Sequence, residues 1–111
     1  MNNDLIKGST IIIILSILEK EDLYGYGLIK EIDKQSNGLF KFKEGTLYPL
    51  LHTLEEKKLI ESYWEKKENS RKRKYYKITK RGKVELIKRK ESWEIFSETL
   101  NTVLGGTINA W

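Results

Sequence analysis

The hydrophobic period of the chain changes at Leu59 from that of an α-helix to that of a β-strand. Before this point, over residues 44–58, leucines recur at positions i, i+3, i+4 and i+7, which predicts a buried stripe along one side of a helix. After it, residues 59–66 and 73–79 are rich in aromatic and β-branched residues, and the polar connector 67–72 between them predicts a β-hairpin. The four leucines of the stripe are Leu47, Leu50, Leu51 and Leu54.

The first predicted helix, residues 4–20, is apolar on most of its sides. Seven of the eight residues at 11–18 are isoleucine or leucine, a composition that also suits a buried strand, although the length of the segment favours a helix. A helix without a clear polar face must be covered on more than one side. In so short a chain this favours burial by a second subunit. The residues assigned to such an interface here are Ile11, Ile14 and Leu15.

Two more helices complete the predicted order of elements. After an expected loop at residues 19–25, a helix is predicted at residues 25–35 and ends at the stop signal Ser36-Asn37-Gly38. The last helix begins at Thr79 or Lys80 and runs to about Leu104, just before two glycines. The chain is thus expected to be mainly α with a small β-hairpin.

Length, charge and cysteine content limit the class of protein. The 111 residues fit one compact unit without linkers or repeats. The net charge of +5 suits a polyanionic partner, although such a charge also simply keeps a small domain soluble. The absence of cysteine excludes disulfides and thiolate metal sites. The longest apolar stretch is far short of the ~20 residues that span a bilayer, so a soluble, cytoplasmic protein without a membrane partner is expected.

The helices at residues 25–35 and 44–58 form a candidate helix-turn-helix. The leucine stripe would anchor the second of them, so that its outer face could enter a DNA major groove. The alternative is that any three-helix globule has an amphipathic third helix. The residues predicted to face outward on this helix are Thr46, Tyr48, Pro49, His52 and Thr53.

The tip of the predicted hairpin is strongly basic. Six of the nine residues at 66–74 are lysine or arginine, and only Glu68 opposes them. Cations near DNA phosphates gain affinity by counterion release, so this arm could hold the backbone beside the groove. An ordinary solvated turn, whose charges discourage edge-to-edge association, is the alternative. The residues assigned to DNA are Lys66, Lys67, Arg71, Lys72, Arg73 and Lys74.

The last helix carries an apolar seam. From Trp93 onward its apolar residues are spaced by three, four and three, as at the a and d positions of a coiled coil, although Arg89 weakens the pattern. A seam this short suits packing against a twin helix or against the first helix of a partner. Folding back onto its own domain is the alternative. The seam residues assigned to a dimer interface are Leu86, Trp93, Phe96, Leu100 and Val103.

Catalysis finds little support in the sequence. The single histidine, His52, lies on the outer face of the candidate recognition helix, with no cysteine or second histidine to complete a metal site. No glycine-rich phosphate loop or nucleophile elbow is present, and Gly25-Tyr-Gly27 alone is a weak signal. The sequence therefore predicts a protein that is not an enzyme and needs no metal or cofactor.

Four short motifs occur in one register: Leu23-Tyr-Gly-Tyr26, Gly45-Thr-Leu-Tyr-Pro49, Leu54-Glu55 with Leu59-Ile60-Glu61, and Arg73-Lys-Tyr-Tyr76 followed by Thr79 and Gly82. Together they resemble the PadR family of bacterial transcriptional regulators, and the match extends from Lys7 to about Leu86. The single C-terminal helix is similar to that of the compact subclass of the family. The family often has Ser, Asn or Asp followed by Pro at the start of the recognition helix, whereas this chain has Lys43-Glu44. Lysine cannot cap the first amides of the helix as those short polar side chains do.

The resemblance implies a winged helix-turn-helix at residues 1–80 and a C-terminal dimerisation helix with a tail at residues 81–111. It implies a homodimer, usually a repressor on an inverted-repeat operator, with Tyr26 near the DNA backbone and Thr46, Tyr48, Pro49 and His52 on the recognition helix. Similar compact proteins bind planar aromatic compounds between paired tryptophans, which implies a ligand site at Trp93 and Phe96. The alternative is an architectural or adaptor protein without sequence-specific DNA readout.

Overall fold

The computed structural model describes residues 9–106. The chain order is α1 (Thr10–Lys20), β1 (Leu23–Tyr24), α2 (Gly25–Gln35), α3 (Glu44–Glu56), β2 (Ile60–Lys66), β3 (Lys72–Ile78) and α4 (Lys80–Val103). The mainly α fold with a winged helix-turn-helix and a long last helix is thus confirmed. The start of the first predicted helix, residues 4–8, and the tail after Gly106 lie outside the described residues.

The prediction of a loop throughout residues 19–25 is wrong, because Leu23–Tyr24 form a short β-strand. Leu23 pairs with Tyr76 and Tyr24 pairs with Tyr75, so β1 extends the predicted hairpin to an antiparallel sheet of order β1-β3-β2. Two residues are too few to show a strand period in the sequence. The consequence is that the start of α2 is joined directly to the wing formed by β2 and β3.

Helix α3, the candidate recognition helix, ends two residues before its predicted end at residue 58. Lys58 adopts a left-handed conformation with φ of 65°, and the Leu59 amide donates to the Leu54 carbonyl oxygen at 3.0 Å. The left-handed residue and this hydrogen bond end the helix and direct the chain into β2. At the other end, Lys43 makes no side-chain capping bond, as the sequence predicts.

The hydrophobic core contains side chains from all four helices and from the sheet. Three of these side chains were predicted to lie in the dimer interface. Ile14 and Leu15 are 0% exposed and Leu86 is 1% exposed within the single chain, because α1 packs on α2, β3 and the first part of α4. Side chains already covered in this way cannot contact a second subunit, so these three assignments are corrected. Ile11 is only half-buried and remains available.

The start of α4 is fixed to the chain segment between α3 and β2. The Thr79 hydroxyl accepts a hydrogen bond from the Gly82 amide at 3.0 Å and donates one to the Lys58 carbonyl oxygen at 2.7 Å. Gly82 itself lies directly against the Leu59 carbonyl group, so closely that a Cβ atom would overlap it. The direction in which α4 leaves the core therefore depends on a capping threonine and a glycine contact.

Within residues 9–106, no helix is both long enough and apolar enough to cross a membrane.

Candidate nucleic-acid interface

Helix α3 turns one side to the core and the other to solvent. Leu47, Leu51 and Leu54 are buried, and Leu50 is half-buried. The predicted outward-facing residues are exposed, so a polar and partly aromatic surface is available along the helix. They are Thr46, Tyr48, Pro49, His52 and Thr53.

Tyr48 joins α3 to the start of α2. Its ring lies so close to Gly25 that a Cβ atom at that position would overlap it. This contact explains why the Leu23–Tyr26 motif has glycine at position 25: any larger residue would collide with Tyr48 of the Gly45–Pro49 motif. Burial, followed by the nearby Glu44 carboxylate, raises the pKa of the Tyr48 hydroxyl, which therefore stays protonated and able to donate a hydrogen bond near neutral pH.

A groove of about 400 Å³ separates the helix-turn-helix from the wing, and we call it the tyrosine groove. Its lining combines four tyrosines with three cationic side chains and contains no carboxylate. The Arg73 guanidinium lies 4.4 Å from the centre of the Tyr24 ring, which holds one of these cations in place. Such a lining suits an anion such as a phosphate group. It consists of Tyr24, Gly25, Tyr26, Tyr48, Arg71, Arg73, Lys74 and Tyr76.

Glu55, near the end of α3, ties the recognition helix to both strands of the wing. The Ser62 hydroxyl donates to its carboxylate at 2.5 Å, and the Lys74 ammonium lies 3.6 Å from its other oxygen. This role of Glu55 is not predictable from the sequence, because its partners lie 7 and 19 residues away along the chain. Lys74, predicted to contact DNA, has part of its charge neutralised within the fold.

The other face of the wing is held by tyrosines. The Tyr63 hydroxyl donates to Asp22 at 2.7 Å, and its ring stacks on Tyr75 with centroids 5.8 Å apart. The hydrogen bond to Asp22 raises the pKa of Tyr63 to about 12, so the hydroxyl stays protonated. Lys67 lies over Tyr75 and 3.2 Å from Glu65, so this predicted DNA contact is also engaged within the wing. Lys66, Arg71 and Lys72 are exposed at the tip.

The second half of α4 carries an exposed apolar stripe. Trp93 is 51% exposed and Phe96 is 56% exposed, and their ring centroids lie 5.8 Å apart. Leu100 and Val103 continue the stripe and are exposed as well. Because the buried side chains of α4 end at Leu86, this half of the helix does not fold back onto its own domain.

No group of three or more metal-ligating side chains suitable for an ion occurs in the described part of the chain. His52 is exposed, and its Nε2 atom lies 3.8 Å from the Glu56 carboxylate.

Residues 14–88 match the family described as the transcriptional regulator PadR-like family. The chain is similar to the solved structure of a PadR-like transcriptional regulator from Bacillus cereus strain ATCC 14579, with 36% identity, a TM-score of 0.81, and coverage of 92% of this chain and 97% of that one. It is also similar to a PadR family transcription regulator from Clostridium difficile R20291, with 42% identity, a TM-score of 0.73 and coverage of 87% and 99%. Transcriptional regulator YqjI of Escherichia coli K12 is 31% identical over 93 residues, which are 84% of this chain but 43% of that protein.

Proposed function

This chain belongs to the PadR-like family of transcriptional regulators, and we propose on that basis that it binds an inverted-repeat operator as a homodimer in the cytoplasm and represses transcription there. The observation that carries the proposal is the tyrosine groove. It brings Tyr48 of the recognition helix, Tyr26 of α2 and the arginines of the wing to one surface that contains no carboxylate. A surface of this kind is complementary to DNA, and the protein would act by binding rather than by catalysis.

In the proposed complex, α3 enters the major groove and the wing follows the backbone beside it. Thr46, Tyr48, Pro49 and His52 would lie near base edges, and Tyr26 near a phosphate. The six cationic side chains of the wing would contribute unequally to DNA affinity. We expect Lys66, Arg71, Lys72 and Arg73 to contribute most, since Lys67 and Lys74 each have a carboxylate partner within the fold.

The proposed dimer uses the exposed stripe of α4. Trp93, Phe96, Leu100 and Val103 would pack against the same helix of a second copy, with Ile11 of α1 at the margin. Division into a DNA-binding unit at residues 1–80 and a dimerisation segment at residues 81–111 remains part of the proposal. Leu86 is part of the hydrophobic core, which supports the proposal that the first two turns of α4 also stabilise the winged unit.

Selection of bound sequences from a random pool of duplexes tests the proposal directly. We expect one palindromic consensus whose half-sites lie about one helical turn apart. Equal recovery of all duplexes would indicate an architectural protein instead. No recovery would indicate an adaptor that contacts another protein.

Replacing Arg71 and Lys72 together with alanine should weaken operator binding by about tenfold or more near physiological salt. Each lost phosphate contact reduces the slope of log affinity against log salt by about 0.9. The proposed dimer loses four such contacts, two in each copy, so the slope should fall by roughly 3.6. Fluorescence anisotropy over a salt series measures both quantities. Lys88→Ala with Lys90→Ala removes the same charge from exposed positions on α4 and should leave the slope nearly unchanged. Equal slopes for the wing variant and the unaltered protein would remove the wing from the interface.

We further propose that a planar aromatic ligand between the two Trp93 indoles releases the operator, with Phe96 lining the same site. Trp93→Ala should weaken binding of a flat dye such as proflavine, measured without DNA, by about tenfold, because stacking on an aromatic ring is lost. Trp64→Phe, at an exposed position on strand β2, serves as the control with unchanged dye affinity. Full dye affinity in the Trp93→Ala protein would end the ligand proposal.

A further inference from the structure

Trp64 on β2 is 62% exposed, although its strand is part of a well-packed sheet. Residues of a strand alternate between its two faces, so Trp64 shares a face with Ser62 and with Ile60. Ile60 is in the core and Ser62 donates to Glu55 of α3. The indole therefore lies on the side of the wing that is turned toward α3, further out along β2 than Ser62 and level with Lys74, which lies 3.6 Å from Glu55 of α3.

The surroundings of Trp64 on this face are cationic. Lys74 lies directly across from it on β3, and the next pair toward the tip is Lys66 with Lys72. The carboxylates of β2, Glu61 and Glu65, are at the alternate positions and lie on the opposite face. Lys74 has Glu55 as a partner at 3.6 Å, whereas Lys66 and Lys72 are exposed. An apolar protein partner docked on the indole would bury these two charges as well, so such a partner does not suit this face. The face suits a polyanion that also offers apolar sugar and base surface.

We infer that Trp64 is a DNA-contacting residue, whose indole packs against sugars and base edges of the minor groove beside the major groove entered by α3. The inference rests on the proposed function, since α3 must engage the duplex for the wing to reach this groove. Apolar side chains contact minor grooves in this way and add affinity without reading phosphates. Trp64 thus supplies the apolar part of the wing contact, and Lys66 and Lys72 beside it supply the electrostatic part.

The apolar and the electrostatic parts of the wing contact should respond differently to salt concentration. An apolar contact releases no condensed counterions, so its loss shifts the line of log affinity against log salt without changing its slope. Trp64→Ala should therefore weaken operator binding by about 100-fold at every salt concentration, as expected for loss of one aromatic contact to a nucleotide in each copy of the dimer. Lys66→Ala, on the same face, should reduce the slope by about 1.8, because the proposed dimer loses one contact in each copy. Trp64→Phe should retain part of the affinity.

The experiment uses the operator duplex from the random-pool selection. Fluorescence anisotropy at several salt concentrations compares the unaltered protein, Trp64→Ala, Trp64→Phe and Lys66→Ala, and circular dichroism checks that each is folded. In a second protein, Trp93→Phe with Trp111→Phe leaves Trp64 as the single tryptophan, and acrylamide quenching of its emission is measured with and without the duplex. We expect parallel salt lines for Trp64→Ala and strong protection of the indole from acrylamide by DNA.

Unchanged affinity of Trp64→Ala, a reduced slope in that variant, or an indole equally open to acrylamide in the bound state would each overturn the inference. In these cases the unaltered protein still binds its operator, so the proposed function survives. If the unaltered protein selects no duplex at all, the proposed function fails, and the inference fails with it.

Discussion

Gly82→Ala is expected to lower the free energy of unfolding by about 3 kcal/mol. The new Cβ atom would overlap the Leu59 carbonyl oxygen, which is a backbone atom at the entry to β2 and cannot rotate away. Overpacking of this kind costs about 1–3 kcal/mol and occasionally more. Displacing Gly82 also breaks its hydrogen bond to the Thr79 hydroxyl, and loss of a helix cap adds about 1 kcal/mol. Urea unfolding at one fixed protein concentration measures the difference.

Gly45→Ala provides the matched control, because it adds the same methyl group to a glycine of another helix. No atom lies within 4 Å of the position that a Cβ would take at Gly45. Alanine is favoured over glycine inside a helix by about 1 kcal/mol, so this variant should be as stable as the unaltered protein or slightly more stable. Equal stability of the two variants would contradict the role assigned to the contact between Gly82 and Leu59.

Local signals account for the parts of the fold that the sequence predicts well. Helix α2 begins at Gly25 and ends at Gln35, as predicted, because Ser36-Asn37-Gly38 is a strong stop signal. Thr79 caps α4, as its position before the helical pattern indicated. The leucine stripe of α3 is buried or half-buried, because a spacing of i, i+3, i+4 and i+7 defines one side of a helix whatever covers it.

The predictions that were wrong or missing share a different cause. Each depends on tertiary contacts between segments that are distant in the sequence. A run of apolar residues shows that α1 must be covered, but not whether this chain or another covers it. Ile14 and Leu15 were assigned to a second subunit for that reason, and α4 of the same chain contributes to their burial. The role of Glu55 depends on partners across the wing, and β1 exists only because β3 offers it an edge. Contacts of this kind leave no periodic trace in the sequence.

Phe96→Glu combined with Leu100→Glu should prevent formation of the proposed homodimer. Both side chains are exposed in the single chain, so the substitutions should leave the fold of the winged unit intact. In a dimer they would place four carboxylates in one apolar interface, where unpaired charges are very costly. We expect the dimer dissociation constant to rise by at least 100-fold, on the order of two lost hot-spot contacts. Sedimentation velocity at micromolar concentration measures the oligomeric state.

Thr102→Glu adds a charge two residues after Leu100 and serves as the control. Successive residues of a helix are rotated by about 100°, so Thr102 lies on the side of α4 away from the stripe, and it is exposed. This variant should remain dimeric and keep its operator affinity. The monomeric double variant should bind the inverted repeat at least 100-fold more weakly, because binding of one half-site no longer raises the effective concentration at the other. A monomer that bound the full operator as tightly as the unaltered protein would show that recognition resides in a single winged unit and not in the symmetry of a pair.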